Sequence, residues 1–470
     1  MRRAGLLVVL SMLVAALGLA ADGTAQARQP PLLRGICDPD LLETWLHNGP
    51  RVVREFETDL SADVVRINLA WSVAEPRRGV YDQEYLGRAV AAVDAIQRRG
   101  MQAIVLVYHT PRWASDRSLW RRPIPGDRAG VYHSYYPPSL KSLDAFEAFA
   151  CHLSTQLQGK VLGYSCWVEP NLWTYLYPQR TATDDAFAAR RYARMLAAFA
   201  PGIRAGDRGA MVIAGETSPT GSESRVTTSP QRFARQLRAS GAGALFDVFA
   251  HHPYPAAGNK DVSPTALPRD PKHTVWLANL DTLLKIFPDK PFYLTEFAYP
   301  TRPSRLFGFH VSDTRQAAYL RAAFRMAARY DRVKLLLWFP RKDHAVRSSY
   351  RDPWGNFSGL RTLGGRRKRA YYAFAGGNTL TMRPVRCVRL GSPLTLRGRL
   401  TNERLGPLAG KVLSVRSRRP GRPWTTVARI RTRADGRYLI RVRPRRGATW
   451  QVRWTGVVAS PVDWVPVTGR

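Results

Sequence analysis

The sequence predicts a (β/α)8 barrel followed by a small all-β, immunoglobulin-like sandwich, and three observations lead to this fold class. Eight short apolar segments alternate with amphipathic ones between residues 32 and 375. The apolar segments are continuous hydrophobic runs, as expected of parallel strands buried on both faces. After Gly376 the pattern changes to alternating apolar and polar residues, which is typical of antiparallel strands with one solvated face.

The eight predicted barrel strands are short and rich in β-branched and aromatic residues. In chain order they read LLRGIC, VVRINLAW, AIVLVYH, VLGYSCWVE, AMVIAGE, FDVFAHH, PFYLTEF and VKLLLWF. An open doubly wound sheet would also bury parallel strands, but it would need a glycine-rich phosphate-binding turn after its first strand. The segment GICDPDLLE is not such a turn, so a closed barrel is the prediction.

Amphipathic segments between the strands predict the helices. The segment at 84–100 ends in Gly100, a residue type that commonly terminates helices. The segment at 313–330 repeats Leu320, Phe324 and Ala327 at helical spacing. A strand followed by a helix, repeated eight times, is the order that a (β/α)8 barrel requires.

The C-terminal region, residues 383–470, is strongly basic. It contains 21 Lys and Arg against 3 Asp and Glu, a net charge of +18, and turn-forming sequences such as RADGR separate its strands. In one interpretation the arginines keep exposed strand edges from pairing with other chains. In the other, the region attaches the protein electrostatically to an anionic surface such as a cell wall.

The N-terminus predicts a secretory signal peptide over residues 1–27. A basic MRR precedes the apolar run LLVVLSMLVAALGLA, and AQA ending at Ala27 is typical of a cleavage site. An uncleaved membrane anchor is the alternative, although a run of about 17 residues is near the lower limit for spanning a bilayer. We therefore expect a secreted, extracellular protein with a barrel domain at 28–380 and a β-sandwich at 383–470.

The net charge of +37 predicts attraction to polyanions. Acidic glycans, wall polymers and lipid headgroups fit this charge. Nucleic acid is not predicted, because no nucleic-acid motif accompanies the basic residues. Two disulfides or free buried thiols are both compatible with the four cysteines, whose spacing matches no metal site: Cys37, Cys151, Cys166 and Cys387.

Polar residues follow the predicted strands at the end where (β/α)8 barrels carry their active sites. The fourth and seventh strands end in Glu169 and Glu296, and these strands lie on opposite sides of a barrel. Hydrolysis of a glycosidic bond with retention uses two carboxyl groups about 5–5.5 Å apart, whereas inversion needs roughly 6.5–9.5 Å. Other polar strand-end residues are Arg66, Asn68, His109, Asn171, Glu216, His251, His252 and Tyr254.

Six segments, in order and spacing, resemble clan A of the glycoside hydrolases, the retaining (β/α)8 enzymes with cellulase-type and xylosidase/iduronidase-type families. They are VVRINLAWSVAEPRRGVYD, GMQAIVLVYHTPRWA, WVEPNLW, FAHHPYP, YLTEFAYPT and GNFSGLRTLGGRRKRAYYAF. The resemblance covers residues 32–375. It implies a hydrolase of O-glycosidic bonds in poly- or oligosaccharides, with a carbohydrate partner and without a metal or other cofactor.

The resemblance also implies roles for individual residues. Glu169 is the expected acid/base and Glu296 the expected nucleophile. Arg66 would keep Glu296 ionised, and Tyr254 would hydrogen-bond the same carboxylate. The residues expected to bind the sugar are His109, Asn171, His252 and, as a platform under the ring, Trp338.

Other polar and aromatic residues near the strand ends are given secondary interpretations. Glu216 is expected at the rim or in a structural role, and Trp113 and Trp173 are candidates for further sugar subsites. His251 is expected to be structural. A metal site formed by His251 and His252 is not predicted, because adjacent residues on a strand point to opposite faces.

Val168 departs from the pattern of the clan, which has Asn directly before the acid/base. That Asn bonds the sugar 2-hydroxyl, a contact that strengthens in the transition state, and valine cannot make it. The alternative function is therefore a carbohydrate-binding barrel without turnover, attached to an anionic surface. A third alternative is a surface-attached structural protein whose function lies in residues 383–470.

Overall fold

The computed structural model describes residues 32–120, 131–255, 262–303, 309–344, 356–376, 378–402, 406–454 and 458–469. The predicted signal peptide at residues 1–27 lies outside these ranges. Within them, no helix combines the length and the apolar character that a membrane crossing requires.

The first eight strands confirm the predicted barrel. They are β1 (Leu33–Cys37), β2 (Val64–Ala70), β3 (Gln102–Tyr108), β4 (Gly163–Cys166), β5 (Met211–Thr217), β6 (Val248–His251), β7 (Phe292–Phe297) and β8 (Val333–Trp338). All pair in parallel in the order of the chain, and β1 pairs with β8 to close the ring. Each strand agrees with one predicted segment to within a few residues.

The helices surround the barrel and connect its strands. They are α1 (Trp45–Thr58), α2 (Trp71–Ala74), α3 (Gln83–Gln97), α4 (Leu143–Gln156), α5 (Phe187–Gly206), α6 (Pro230–Ala239), α7 (Asp281–Leu284), α8 (Asp313–Ala327) and α9 (Arg369–Phe374). Side chains cap two of them, since Asp82 accepts a hydrogen bond from the first turn of α3 and Ser312 does so for α8. The chain leaves α3 through Gly100 with φ at 73°, as its position in the sequence predicts.

Side chains inside the barrel form an apolar floor with a polar layer above it. The floor is made of Val64, Ile104, Ile213, Val248, Ala250, Tyr293, Leu335 and Leu337. Because alternate residues of a strand share a face, the next interior side chain on β2 after Val64 is Arg66. His252, just after β6, lies two residues beyond the floor residue Ala250, and Thr295 of β7 lies two residues beyond Tyr293. The buried polar groups therefore collect at the carboxyl ends of the strands.

The remaining strands form a C-terminal β-sandwich. They are β9 (Asn378–Leu380), β10 (Val388–Arg389), β11 (Leu394–Asn402), β12 (Gly406–Pro407), β13 (Val412–Arg418), β14 (Thr425–Arg431), β15 (Arg437–Val442), β16 (Ala448–Trp454), β17 (Val458–Ala459), β18 (Asp463–Val465) and β19 (Val467–Thr468). One antiparallel sheet has the order β12–β11–β15 and the other β14–β13–β16–β17. They share a core that includes Leu396, Val415 and Trp450.

The pairing of β10 with β19 and the state of the cysteines differ from those of a purely antiparallel, disulfide-linked domain. The short strands β10 and β19 pair in parallel and form a separate two-stranded sheet. All four cysteines are free thiols: Cys37 and Cys166 are buried, Cys151 is half-buried and Cys387 is exposed. Of the two alternatives for the cysteines, the structure therefore has free thiols.

Candidate active site

The backbone is strained where the barrel strands end. Six non-glycine residues of the described chain have positive φ, a conformation that is unfavourable for residues with a side chain. Four of them follow or end β3, β4 and β5, and these are His109 (65°), Trp167 (68°), Glu169 (38°) and Glu216 (46°). Such strain is typical of functional sites, where the surrounding structure holds a side chain in a required direction.

Glu216 lies at the centre of the buried polar layer, with its side chain fully inaccessible. Its Oε2 accepts hydrogen bonds from Arg66 Nη1 at 2.6 Å, His252 Nε2 at 2.7 Å and Thr295 Oγ1 at 2.7 Å. Its Oε1 accepts one from Ser165 Oγ at 2.6 Å. This saturated carboxylate lies below the mouth of the barrel, so of the two expectations for Glu216, a rim position or a structural role, its contacts fit the structural role.

Glu216 is ionised in the folded protein. Burial acts to raise the pKa of its carboxyl group, but the charge of Arg66 and the hydrogen bond from His252 outweigh burial and lower the pKa to about 2. The central position of Glu216 could not be predicted from the sequence, because alternation along a strand does not reveal how deep a side chain lies.

Glu296 makes the two contacts expected of it. Arg66 Nη2 donates to its Oε1, and the Tyr254 hydroxyl donates to its Oε2 at 2.7 Å. Arg66 is fully buried, and it forms ion pairs with both Glu296 and the deeper carboxylate of Glu216. The Glu296 side chain retains 11% of its accessible surface, so a ligand in the barrel mouth could contact it.

Glu169 and Glu296 meet at one imidazole nitrogen. His252 Nδ1 lies 3.0 Å from Oε1 of Glu169 and 3.7 Å from Oε2 of Glu296. The two carboxylate oxygens can therefore be no farther apart than the sum of these distances. That limit applies to this pair of oxygens, and it admits the about 5–5.5 Å separation of the carboxyl groups in retaining glycosidases.

The charge of His252 and burial act together on the carboxyl group of Glu169. Burial acts to lower the pKa of His252, but the charge of Glu296 and hydrogen bonds to Glu169 and Glu216 raise it to about 10. His252 is therefore an imidazolium at neutral pH. Burial raises the pKa of Glu169, although His252 opposes the shift. A carboxyl group with a raised pKa is suited to donate a proton.

An aromatic wall lies beside the two carboxylates. The ring of His109 stacks on Tyr175, with centroids 6.1 Å apart, and contacts Tyr135 at 5.7 Å. Burial raises the pKa of Tyr175, and the charges of Glu169 and Glu296 raise it further. Neither tyrosine could be predicted from periodicity, because Tyr175 lies in a loop and Tyr135 ends the short 3-10 helix Val131–Tyr135.

The structure corrects the expected sugar contact of Asn171. Its side chain is fully buried, where Nδ2 donates to the carbonyl oxygen of Thr228 at 2.9 Å and Oδ1 accepts from the backbone N–H of Ser218 at 2.8 Å. These bonds join the loop after Glu169 to the loop after β5. Asn171 therefore fixes loops and is not available to a sugar.

The structure also corrects the expected platform role of Trp338. The interior residue at the end of β8 is Leu337, so its neighbour Trp338 faces the helices. Trp338 is 1% exposed, packs against Phe297, and donates its indole N–H to the carbonyl oxygen of Ser358. It is a core residue beneath the loops and not a surface for a sugar ring.

Two other residues have structural contacts. His251 faces away from the interior, where its Nε2 donates to the carbonyl oxygen of Val275, and burial lowers its pKa to about 3. Trp113 donates its indole N–H to the carbonyl oxygen of Glu75 and is half-buried. Across the described ranges, no group of three or more His, Cys, Asp or Glu side chains is arranged to hold a metal ion.

Comparisons with known proteins agree with this fold. No protein-family model matches the sequence, and no curated protein matches it. Among solved structures, a variant of GH5_18 from Streptomyces cattleya in complex with Manb1-4GlcNAc is 18% identical, with 77% of this chain and 84% of that chain covered and a TM-score of 0.52. GH5_18 from Bifidobacterium longum subsp. infantis is 16% identical, with 81% and 87% covered and a TM-score of 0.51. The chain thus has the closed eight-stranded fold of clan A glycoside hydrolases.

Proposed function

We propose that this chain is an exported retaining glycoside hydrolase in which Glu169 is the acid/base and Glu296 the nucleophile. The observation that carries the proposal is the contact of both carboxylates with Nδ1 of His252. Their limited separation fits a double displacement, in which the nucleophile must reach the anomeric carbon while the acid reaches the leaving oxygen. The fold shared with glycoside hydrolases supports the same reading.

In the first step, a carboxylate oxygen of Glu296 forms a bond to the anomeric carbon as the glycosidic bond breaks. Glu169 transfers its proton to the departing oxygen, so that an alcohol leaves. The hydrogen bond from Tyr254 and the charge of Arg66 orient Glu296 for the attack. The imidazolium of His252 stabilises the Glu169 carboxylate that remains.

In the second step, Glu169 accepts a proton from water. The water oxygen attacks the anomeric carbon from the side of the departed sugar and displaces Glu296. Two inversions at one carbon leave the configuration unchanged. Glu169 ends the cycle protonated, ready for the next bond.

The substrate class is a poly- or oligosaccharide, and the net charge of +37 favours an acidic one. Export through the signal peptide at residues 1–27 would bring the protein to polysaccharides outside the cell. The aromatic wall of His109 and Tyr175 supplies apolar ring faces beside the carboxylates, on which the C–H faces of a sugar can stack.

A carbohydrate-binding barrel without turnover is the second candidate, and Val168 is the observation that favours it. Val168 is 5% exposed and has no group that could bond a sugar 2-hydroxyl. Such a protein would bind glycans with Glu169 and Glu296 intact but would leave the glycosidic bond unbroken.

The test is a screen of aryl glycosides and polysaccharides with the wild-type chain and the Glu296→Gln variant. We expect turnover by the wild type only, and proton NMR of the first product should show the anomeric configuration of the substrate. Equal background rates in both proteins, with glycan binding retained, would establish the second candidate. A first product of opposite configuration would exclude the double displacement.

A further inference from the structure

A groove of about 500 Å³ lies between the barrel and the C-terminal sandwich, and it shares no lining residue with the site of Glu169 and Glu296. Residues of α8 and α9 form one side, and residues of β9, β16 and β17 form the other. The groove is part of the surface where the two structures meet, since Asn402 of β11 donates a hydrogen bond to the carbonyl oxygen of Ala375 just after α9.

Three arginines converge on this groove from three different elements. Arg321 comes from α8, Arg369 from α9 and Arg453 from β16, and no acidic residue lines the groove. Within the described ranges, none of the three side chains forms an ion pair, whereas the neighbouring Arg361 and Arg367 pair with carboxylates of α1 and the residue after it. Like charges that share a groove repel one another, and a bound anion would relieve that repulsion.

The groove continues onto the outer face of the β14–β13–β16 sheet. On this face Arg453 and Arg429 lie opposite Ser414 from the two sides, and Arg416 and Arg418 are the next outward residues of β13. We call Arg416, Arg418, Arg429 and Arg453 the arginine face. Every arginine of this face lies opposite a small or uncharged residue on its neighbouring strands, namely Ser414, Thr426, Gln451 or Thr449. No acidic residue therefore faces these arginines across the paired strands, and the guanidinium groups of Arg416 and Arg418 both lie over the ring of Trp424.

We infer that the groove, continued by the arginine face, binds an anionic polysaccharide and is a second glycan site, separate from the barrel mouth. The guanidinium fork matches the two oxygens of a carboxylate or a phosphate, which are the charged groups of acidic glycans. The half-buried ring of Tyr372 lines the same groove and offers an apolar face to a sugar. The choice of a glycan over other polyanions rests on the proposed function, whereas the anionic character follows from the arginines alone.

The site would hold the polymer while the barrel acts on it. A chain that follows the arginine face can engage several guanidinium groups at once, so each weak contact adds to the next. Binding should weaken with salt, because the contacts lie on the surface and are screened over about 8 Å at physiological ionic strength.

The experiment measures equilibrium binding and needs no turnover, so it can succeed even if the proposed hydrolysis fails. The ligands are polygalacturonate, a phosphate-bearing wall polysaccharide, neutral dextran and single-stranded DNA, each at low and at high salt. The test protein carries Arg321→Gln, Arg369→Gln and Arg453→Gln. The matched control carries Arg51→Gln, Arg98→Gln and Arg208→Gln, which remove the same charge from exposed arginines on other helices and loops of the barrel.

We expect the test protein to lose affinity for at least one of the acidic polysaccharides by about tenfold or more at low salt, as lost charge-assisted hydrogen bonds imply. The affinity of the control for these polysaccharides should change by less than about twofold, since its substitutions alter only the overall electrostatic field of the protein. A loss of affinity for polygalacturonate would indicate carboxylate recognition, and a loss for the phosphate-bearing polysaccharide would indicate phosphate recognition. Equal losses in the two proteins, or DNA binding that is as tight and as sensitive to the test substitutions as glycan binding, would overturn the inference.

Discussion

Nδ1 of His252 lies 3.0 Å from Oε1 of Glu169, so a buried imidazolium donates a hydrogen bond to the carboxyl group proposed as the acid/base. The other nitrogen of the same ring contacts Glu216, a carboxylate without solvent access. His252 therefore links a permanent buried anion to a carboxyl group that must gain and lose a proton. The charge of this ring therefore affects both the free energy of unfolding and the pKa of Glu169.

Replacing Glu169 by Gln should slow the reaction most where the leaving group needs a proton. We expect kcat to fall by about 10²–10⁴-fold on oligosaccharides, the range for loss of a general acid. The loss in the first step should be much smaller on aryl glycosides with acidic phenols, which depart without a proton. Pre-steady-state rates of phenol release measure this step.

Glu223→Gln is the matched control for this substitution. The Glu223 side chain is 17% exposed, close to the 16% of Glu169, but it pairs with Arg180 outside the carboxylate cluster. Its rates should stay near those of the wild type. If Glu169→Gln lowered the first-step rate on oligosaccharides and on aryl glycosides to the same extent, proton donation by Glu169 would be disproved.

Protonation of His252 should make the folded state more stable at low pH than at high pH. Burial opposes the shift, yet the surrounding carboxylates raise the pKa of His252 to about 10, compared with about 6.5 in an unfolded chain. A raised pKa means that the stabilisation is complete below about pH 6.5 and is lost as the pH rises toward about 10. Urea unfolding should therefore give a falling free energy of unfolding over this interval.

The window from about pH 6.5 to 8.5 isolates His252 from the buried thiols. Burial raises the pKa of Cys37 and Cys166, and their unfolded-state ionisation adds its own loss only above about pH 8.5. In His252→Gln, the free energy of unfolding should lose most of its dependence on pH within that window. An unchanged slope in the variant would show that His252 is not the group responsible.

Most of the barrel and part of the site could be predicted because both depend on short-range patterns. Eight apolar runs and their helices define the barrel, and a residue at the end of a barrel strand can be located from that strand alone. This reasoning placed Arg66, Glu169, His252, Tyr254 and Glu296 at one end of the barrel, and the structure brings these five side chains together.

Glu216 could not be placed by alternation, because its strand is irregular. On β5 the register shifts between Ala214 and Thr217, with Gly215 at φ 96°, and this turns Glu216 into the interior. A similar shift on β7 brings Glu296 into the site beside Thr295. Simple alternation cannot foresee such bulges. It could have placed Trp338 correctly, however, because Leu335 and Leu337 already define the interior face of β8.

Glu216→Gln should destabilise the protein and change its acid response. The neutral amide would leave Arg66 and His252 without their shared buried counter-charge, which we expect to cost about 3–5 kcal/mol. The pKa of Glu216 is lowered to about 2 because Arg66 and His252 outweigh the effect of burial. Its stabilisation is therefore present above the ordinary value of about 4.3 and is lost as the pH falls toward about 2. Urea unfolding at a series of acid pH values measures both effects.

A second carboxylate serves as the control for Glu216. Glu55 pairs with Arg361 and Arg341, and its side chain is 13% exposed, but it has no contact with His252. Glu55→Gln should also lower stability, yet it should leave the pH dependence of kcat/KM unchanged, whereas Glu216→Gln should alter it because Glu216 contacts the histidine that bonds Glu169. If Glu216→Gln left that dependence unchanged as well, Glu216 would be a structural residue only.

Asn171→Ala tests the corrected role of this residue. Loss of its bonds to Ser218 and Thr228 should reduce the free energy of unfolding by about 1–3 kcal/mol, as expected for buried backbone groups left unsatisfied. Combined with Glu296→Gln to prevent turnover, it should leave the Kd for an oligosaccharide within about twofold, because the buried amide makes no sugar contact. Weaker glycan binding without loss of stability would restore the sugar-binding role.

Val168→Asn tests whether the valine limits catalysis. An asparagine in this position could bond a sugar 2-hydroxyl, and that bond would strengthen as charge develops at the anomeric carbon. We expect the kcat/KM ratio of a 2-hydroxy to a 2-deoxy substrate to be higher in Val168→Asn than in the wild type, by about tenfold, the worth of one added hydrogen bond. Comparing ratios cancels the intrinsic reactivity of the two substrates. Val168→Leu, which adds no hydrogen-bonding group, should keep the wild-type ratio, and an equal ratio in all three proteins would mean that residue 168 does not face the 2-position.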